Sequence, residues 1–301
     1  MIEQTVINES RRRLPRWLKR PLPAGEPFAT TKRIVARSGV ATVCQDAKCP
    51  NLTECWSRRT ATFMILGHRC TRRCRFCAVQ TGRPFPPEPD EPERLGAASA
   101  ELGLRHVVIT AVARDDLNDQ GASHFAACIE AVRRHNPAAT VEVLPSDFRG
   151  RRECIKRVCD VGPDVYNHNI ETVERLTPIV RPQARYRRSI GVIRTVGASA
   201  PHVLAKSGLM VGLGETREEL TRTFGDLVDA GCRMLTIGQY LQPSPDHAPV
   251  EKFYHPDEFE ALTDEARSLG FSSVASGPFV RSSYDAGAVF AETRRRAAPV
   301  G

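Results

Sequence analysis

From residue 62 onward the chain repeats short apolar, β-rich runs, at 62–66, 106–111, 140–144, 164–170, 207–212, 234–238 and 271–275. Between most of them the apolar positions recur at helical spacing, over 122–135, 149–161, 215–230 and 256–269. Strands alternating with helices imply βα units around a parallel sheet. Six or seven such units suit an open barrel better than a closed eightfold one. The expected fold class is therefore α/β, a partial (β/α)6-type TIM barrel whose site lies at the C-terminal ends of the strands. The first 60 residues read as irregular, because Pro15, Pro21, Pro23 and Pro27 interrupt any long helix. The segment 84–92 holds five prolines and reads as a linker crossing the surface. The expected division is an N-terminal extension over 1–60, the barrel over 61–275 and a C-terminal extension over 276–301.

Composition narrows the class. The apolar and charged fractions are those of a globular chain, and no apolar run approaches the ~20 residues of a membrane span. Glu3 and Glu9 fall in the opening residues and no apolar core follows them, so no secretory signal is expected. The expected location is the cytoplasm. A formal net charge of +8 suits an acidic partner: nucleic acid, anionic lipid or an acidic protein. Its densest patch is Arg11-Arg12-Arg13 with Arg16, Lys19 and Arg20. A solvated arm is the commoner meaning of such a run, and a docking arm the functional one.

Ten cysteines change the picture, because six of them fall between residues 44 and 77 in a long chain, and that clustering points to metal. Cys70, Cys74 and Cys77 form a C-x3-C-x2-C run on the loop after the first barrel strand. Iron–sulfur clusters are held by cysteine thiolates, usually four to a four-iron cluster. Three close cysteines leave one iron open to a small molecule. Half a zinc site is a poor alternative, since zinc normally takes four ligands, often as paired C-x2-C. Cys44, Cys49 and Cys55 form a second set, fifteen residues ahead of the first, and suggest a second cluster that also lacks a fourth cysteine. Cys128, Cys154, Cys159 and Cys232 sit among apolar neighbours and read as core.

The first cysteine run, with the aromatic Phe76 before its third member, resembles the radical S-adenosylmethionine (SAM) superfamily. In that superfamily SAM binds the open iron and the reduced cluster splits it to a 5′-deoxyadenosyl radical. With the second set in front, the chain resembles the lipoyl synthase family from about residue 43 to 286. The likeness runs through FMILGHRCTRRCRFCAV, VITAVARDDLNDQGASHFA, PDVYNHNIETV, VRPQARYRRS, KSGLMVGLGET, TIGQYLQPS and SGPFVRSSY. Similarity to biotin synthase would cover only the barrel and its first cysteine set.

This resemblance implies a sulfurtransferase that inserts two sulfur atoms at C6 and C8 of a protein-bound octanoyl-lysine. It implies two [4Fe-4S] clusters and SAM, with the auxiliary cluster on Cys44, Cys49 and Cys55 as sulfur donor. A serine of Arg281-Ser282-Ser283-Tyr284 would be the fourth ligand of that cluster, a hard, labile corner on a cluster meant to come apart. Neighbours in an extended segment point opposite ways, and Ser283 is preferred to Ser282. The run from Gly208 through Gly212 to Glu215 is similar to the superfamily's adenine-binding strand, and Asn169 and Glu171 would touch SAM. Implied partners are octanoylated lipoyl domains of 2-oxoacid dehydrogenase E2 subunits and the glycine cleavage H protein. An electron donor such as ferredoxin or flavodoxin and an iron–sulfur carrier protein are also implied, with no nucleic acid and no membrane. A radical methylthiotransferase acting on tRNA is the competing enzyme, but it leaves the serine run without a role and lacks an appended RNA-binding domain here. A zinc or nucleic-acid module without catalysis is the third class.

Overall fold

The computed structural model describes residues 14–19, 26–58 and 60–297. Most of the basic run, Arg11 to Arg13 and Arg20, lies outside the described residues; Arg16–Leu18 forms a single 3-10 turn.

The N-terminal extension is more ordered than its prolines suggest. Helix α1 spans Glu26–Ser38 and buries Thr31, Ile34 and Val35. Pro27 falls in its first turn, where the missing N–H has no helical partner to lose and the fixed φ favours the helix. Strand β1 (Ala41–Thr42) then pairs antiparallel with β2 (Thr62–Ile65). Between them lie two short helices, α2 (Val43–Asp46) with Cys44 and α3 (Leu52–Ser57) with Cys55, and Cys49 falls on the link between the two.

After β2 comes a small excursion closed by two short parallel strands, β3 (Arg69–Cys70) and β4 (Gln80–Thr81). The proline-rich stretch follows and ends earlier than expected, because helix α4 (Glu91–Glu101) takes Pro92 into its first turn. Regular alternation begins there: β5 (His106–Ala111), α5 (Ala122–His135), β6 (Thr140–Leu144), α6 (Arg152–Asp160) and β7 (Val165–Asn167). A short α7 (Thr177–Val180) precedes α8 (Tyr186–Ser199). The order then runs β8 (Leu204–Val211), α9 (Arg217–Asp229), β9 (Met234–Gln239), α10 (Pro256–Ser268) and β10 (Ser273–Gly277).

The strand order is β1-β2-β5-β6-β7-β8-β9-β10, and every pair from β2 onward is parallel. The order ends at β10 without returning to β2, so the barrel is open, as the count of units implied. Its strands are apolar nearly throughout because both faces are covered: Phe63, Ile65, Val107, Ile109, Val141 and Val143 are fully buried. Helix α5 turns Phe125, Cys128, Ile129 and Val132 onto the sheet, and each such side chain contributes about 1.5–3 kcal/mol by leaving water. Cys128, Cys154, Cys159 and Cys232 are buried free thiols, as the apolar surroundings implied.

The C-terminal helix α11 (Ala286–Ala297) turns back beneath the barrel. Its Val289 and Phe290 pack with Val165, Leu204 and Met234, the first residues of β7, β8 and β9. The helix thereby closes the N-terminal mouth of the barrel and leaves the opposite end open to ligands. Among the described residues no helix is long and apolar enough to cross a membrane.

Candidate functional site

A cavity of about 550 Å³ opens at the C-terminal ends of the strands, and all six clustered cysteines line it. Strand β2 is followed by two residues of positive φ, Leu66 and Gly67, which swing the chain into the first cysteine loop. That loop is tied down on three sides. Thr71 N donates to Ala113 O at 3.1 Å, Arg75 N to Val180 O at 2.8 Å, and Ala248 N to Arg75 O at 2.8 Å. Cys70 Sγ accepts from the backbone N–H of Ala113 at 3.3 Å and of Arg72 at 3.4 Å.

The sequence reading gave no role to Arg72, and the structure gives it one. It is buried between the cysteines of the loop, donates to both oxygens of Asp115 at 2.8 Å and reaches Asp147 at 2.6 Å. Burial opposes the charge on Asp147, but the Arg72 guanidinium outweighs it and holds the carboxyl well below the usual range. Arg188, on α8, also pairs with Asp147 at 3.1 Å. The cysteine loop is thus locked to the ends of β5 and β6 by charge as well as by backbone.

The other cysteine set meets the C-terminal run across more than 200 residues of sequence. Asn51, between Cys49 and Cys55, donates from Nδ2 to Phe279 O at 2.6 Å. Tyr284 OH donates to Glu54 Oε1 at 2.9 Å. These two bonds bracket the serines, and both Ser282 and Ser283 line the cavity with Cys44, Cys49 and Cys55.

The serine run is a turn and not an extended segment, since Tyr284 N donates to Arg281 O at 2.9 Å. Alternation therefore does not separate the serines. Their partners do. Ser282 Oγ accepts from Asn169 Nδ2 at 2.6 Å, whereas the Ser283 hydroxyl has no hydrogen-bond partner among the described residues.

The remaining expected residues divide. Asn169, Glu171 and Gly208 line the cavity. Glu171 has a positive φ of 66° and accepts from Asn169 Nδ2 at 3.1 Å. Burial raises its carboxyl above the usual range, with Arg181 acting against that. Gly212 and Glu215 stand apart from the lining: Glu215 accepts from Gly212 N at 2.6 Å, Leu213 N at 2.9 Å and Tyr254 OH at 3.0 Å. It closes its own strand-to-helix turn.

Two unforeseen residues complete the chamber. His168 is buried; burial, reinforced by nearby Arg181, lowers its pKa to about 4. It is therefore neutral, donating from Nδ1 to Pro145 O and accepting at Nε2 from Ser189. Arg181 donates from Nη1 to Asn169 O and Ile170 O, while its buried Nε has no partner among the described residues.

The donor set fits iron–sulfur clusters. No three His, Cys, Asp or Glu side chains among the described residues converge on a single ion position; the thiols instead surround a chamber. Burial pushes Cys44 up to about 11 and Cys77 up to about 12, and raises Cys74 too. Thiolates there need positive metal centres beside them, which a cluster provides.

Comparison with known proteins agrees. Residues 64–227 match the family model of the radical SAM superfamily. The chain is 52% identical to the lipoyl synthase of Rubrobacter xylanophilus over 94% of this chain and 88% of that one. It is 54% identical to that of Symbiobacterium thermophilum, over 91% and 86%. Among solved structures, methylornithine synthase shares the fold with TM-score 0.56 and 13% identity, over 70% of this chain and 63% of that one. The hydrogenase maturase HydG does so with TM-score 0.55 and 16% identity, over 83% and 63%.

Proposed function

The chain belongs to the lipoyl synthase family of the radical SAM superfamily, and from that premise we propose how its own residues divide the work. The reaction inserts two sulfur atoms, at C6 and C8, into an octanoyl chain amide-linked to a lysine of a lipoyl-domain protein. It uses SAM and two [4Fe-4S] clusters. Acid–base side chains cannot break an unactivated C–H bond, so cofactors carry that chemistry and the protein supplies position and shielding. When bound, one cluster with SAM supplies the hydrogen-abstracting radical and the other supplies the sulfur.

In this reading Cys70, Cys74 and Cys77 hold the SAM-binding cluster. Cys44, Cys49 and Cys55 hold the auxiliary one, with Ser283 as its fourth ligand. The observation that carries the reading is the pair of bonds from Asn51 to Phe279 and from Tyr284 to Glu54, which bring the serines to Cys44, Cys49 and Cys55. Asn169, Glu171 and Gly208 belong to the SAM side of the chamber. The free Nε of Arg181 is a donor for an anionic group such as the SAM carboxylate. Neutral His168 adds no charge to the chamber. Gly212 and Glu215 serve SAM only through the turn they build. Val43, Met64, Val112 and Met210 give the chamber apolar walls that suit an alkyl chain and keep water from a radical.

The division follows: residues 1–60 carry the auxiliary thiolates, 61–275 form the radical SAM barrel, and 276–301 deliver the serine. The carriers are lipoyl domains of 2-oxoacid dehydrogenase E2 subunits and the glycine cleavage H protein. A ferredoxin or flavodoxin supplies electrons, and an iron–sulfur carrier refills the auxiliary site. Anaerobic incubation with SAM, reductant and an octanoyl-lysyl peptide, read by mass spectrometry, tests the whole. A product heavier by two sulfurs, with loss of two hydrogens, and two equivalents of 5′-deoxyadenosine are expected. A product carrying a methylthio group would replace this reading with the methylthiotransferase one.

A further inference from the structure

Lys206, on β8, and Glu142, on β6, are fully buried inside the barrel. Lys206 Nζ donates to Glu142 Oε1 at 2.8 Å and Oε2 at 3.0 Å. Its third bond goes 76 residues away, to the carbonyl of Ser282 at 2.7 Å. An ammonium has three protons, and all three are committed. Glu142 also accepts from Asn167 Nδ2 at 3.1 Å. A buried ion pair is weak evidence for stability, because well-packed apolar residues often serve as well or better. What the pair adds here is a fixed donor aimed at the serine run.

The barrel wall is shaped for the same segment. Gly208 lies two residues beyond Lys206 on β8 and so shares its face. A Cβ there would stand 2.5 Å from Thr236 Oγ1, 2.8 Å from Asn169 Oδ1 and 3.3 Å from Ser282 Oγ. A Cβ on Gly238, at the end of β9, would stand 2.1 Å from Val280 O. Gly238 thus drops its side chain where the backbone of Val280 passes, Gly208 drops its own where Asn169 meets the Ser282 hydroxyl, and Lys206 supplies a charge to hold the segment. Asn169 completes the hold through the Ser282 hydroxyl.

We propose that Lys206 and Glu142, with the bare strand positions Gly208 and Gly238, form a seat that fixes the serine run before any cluster is present. Lys206 is a positioning residue: it acts on the adjoining Ser283 through the backbone of Ser282 and touches no reacting atom. The inference rests on the reading of Ser283 as a cluster ligand. Its consequence is that the fourth corner of the auxiliary site stays in place when the cluster is spent. A site emptied by each turnover is then refilled against a preset ligand and not against a loose tail.

Hydrogen exchange of the full-length chain, prepared without iron and again with both clusters, tests this. In the metal-free wild type the amides of 280–284 are expected to be protected. In Gly238→Ala, and in the charge-neutral pair Lys206→Met with Glu142→Gln, their exchange is expected to rise about tenfold to a hundredfold, the scale of one lost charge-assisted hydrogen bond. The amides of β5 and β6 should keep their protection in Gly238→Ala. Free exchange of 280–284 in the metal-free wild type would overturn the seat, because the cluster would then be what orders the run. Wild-type protection in Gly238→Ala would overturn it too, and that variant decides the matter if the buried pair cannot be replaced without unfolding. Full lipoyl formation by Ser283→Ala, beside intact protection in the wild type, would remove the ligand reading and leave the seat standing.

Discussion

Ser282 and Ser283 are adjacent and chemically identical, yet among the described residues only Ser282 has hydrogen-bond partners. Ser282 is held at its hydroxyl by Asn169 and at its carbonyl by Lys206. Ser283→Ala should therefore keep most of the auxiliary iron, since three thiolates remain, but lose most lipoyl product. Ser283→Cys should give a cluster more resistant to chelators, because thiolate is the softer and stronger iron ligand. 5′-Deoxyadenosine should still form, with little sulfur inserted. Full product from both variants would end the assignment. A second residue-scale prediction concerns Arg72. Its removal leaves Asp147 buried beside Arg188 alone, and breaking a buried pair costs roughly 3–5 kcal/mol. Arg72→Met should lower the melting temperature of the metal-free chain markedly, and an unchanged melting curve would show the pair to be idle. The cysteines were legible as a group because their clustering and spacing point to metal, and all six line one chamber. Arg72, Asp147 and Lys206 were not, because their meaning lies in partners 43 to 76 residues away. The glycine turn at Gly212 was legible as a turn, but nothing local distinguishes one that binds a ligand from one that closes on its own Glu215.

The barrel strands could be read from their apolar runs to within three residues, β7 ending and β8 starting three earlier than read, and α5 from its periodicity at its observed bounds. They fail to show where local chemistry defers to position. Pro27 and Pro92 looked like breakers, yet both fall in first turns, where proline is tolerated. Helix α11 has no strong stripe because it packs on strand ends rather than along a sheet face. The serine run looked extended and is a turn. The two cysteine elements, by contrast, are separate in sequence, and the proposed division of work makes them separable in function. About eight irons per chain are expected after reconstitution. Changing Cys70, Cys74 and Cys77 together to Ala should leave about half of them and abolish SAM cleavage. Changing Cys44, Cys49 and Cys55 together to Ala should leave SAM cleavage running while sulfur insertion vanishes. Lipoyl product from the second variant would mean that the sulfur comes from elsewhere.

At the scale of the molecule, the chamber is closed below by α11 and open above, so a carrier protein has to dock at the upper rim and send its acylated lysine inward. The rim near the first cysteine loop is basic: Arg69, Arg73 and Arg83 are exposed there, with Arg69 stacked 5.0 Å over the exposed Phe85 ring. Together with a net charge of +8, this suits an acidic carrier, whose approach would be steered by long-range attraction. Salt shortens the reach of exposed charges to about 8–10 Å at physiological strength. It should therefore raise the KM for a whole octanoylated lipoyl domain. A short neutral octanoyl-lysyl peptide carries no net charge for the rim to attract, so its KM should barely move. The contrast between the two substrates separates steering from any general effect of salt on the clusters, which would touch both alike. Charge reversal at Arg73 and Arg83 should reproduce the effect of salt for the domain and leave the peptide unchanged. If both substrates respond equally to salt, the charge excess serves something other than the carrier.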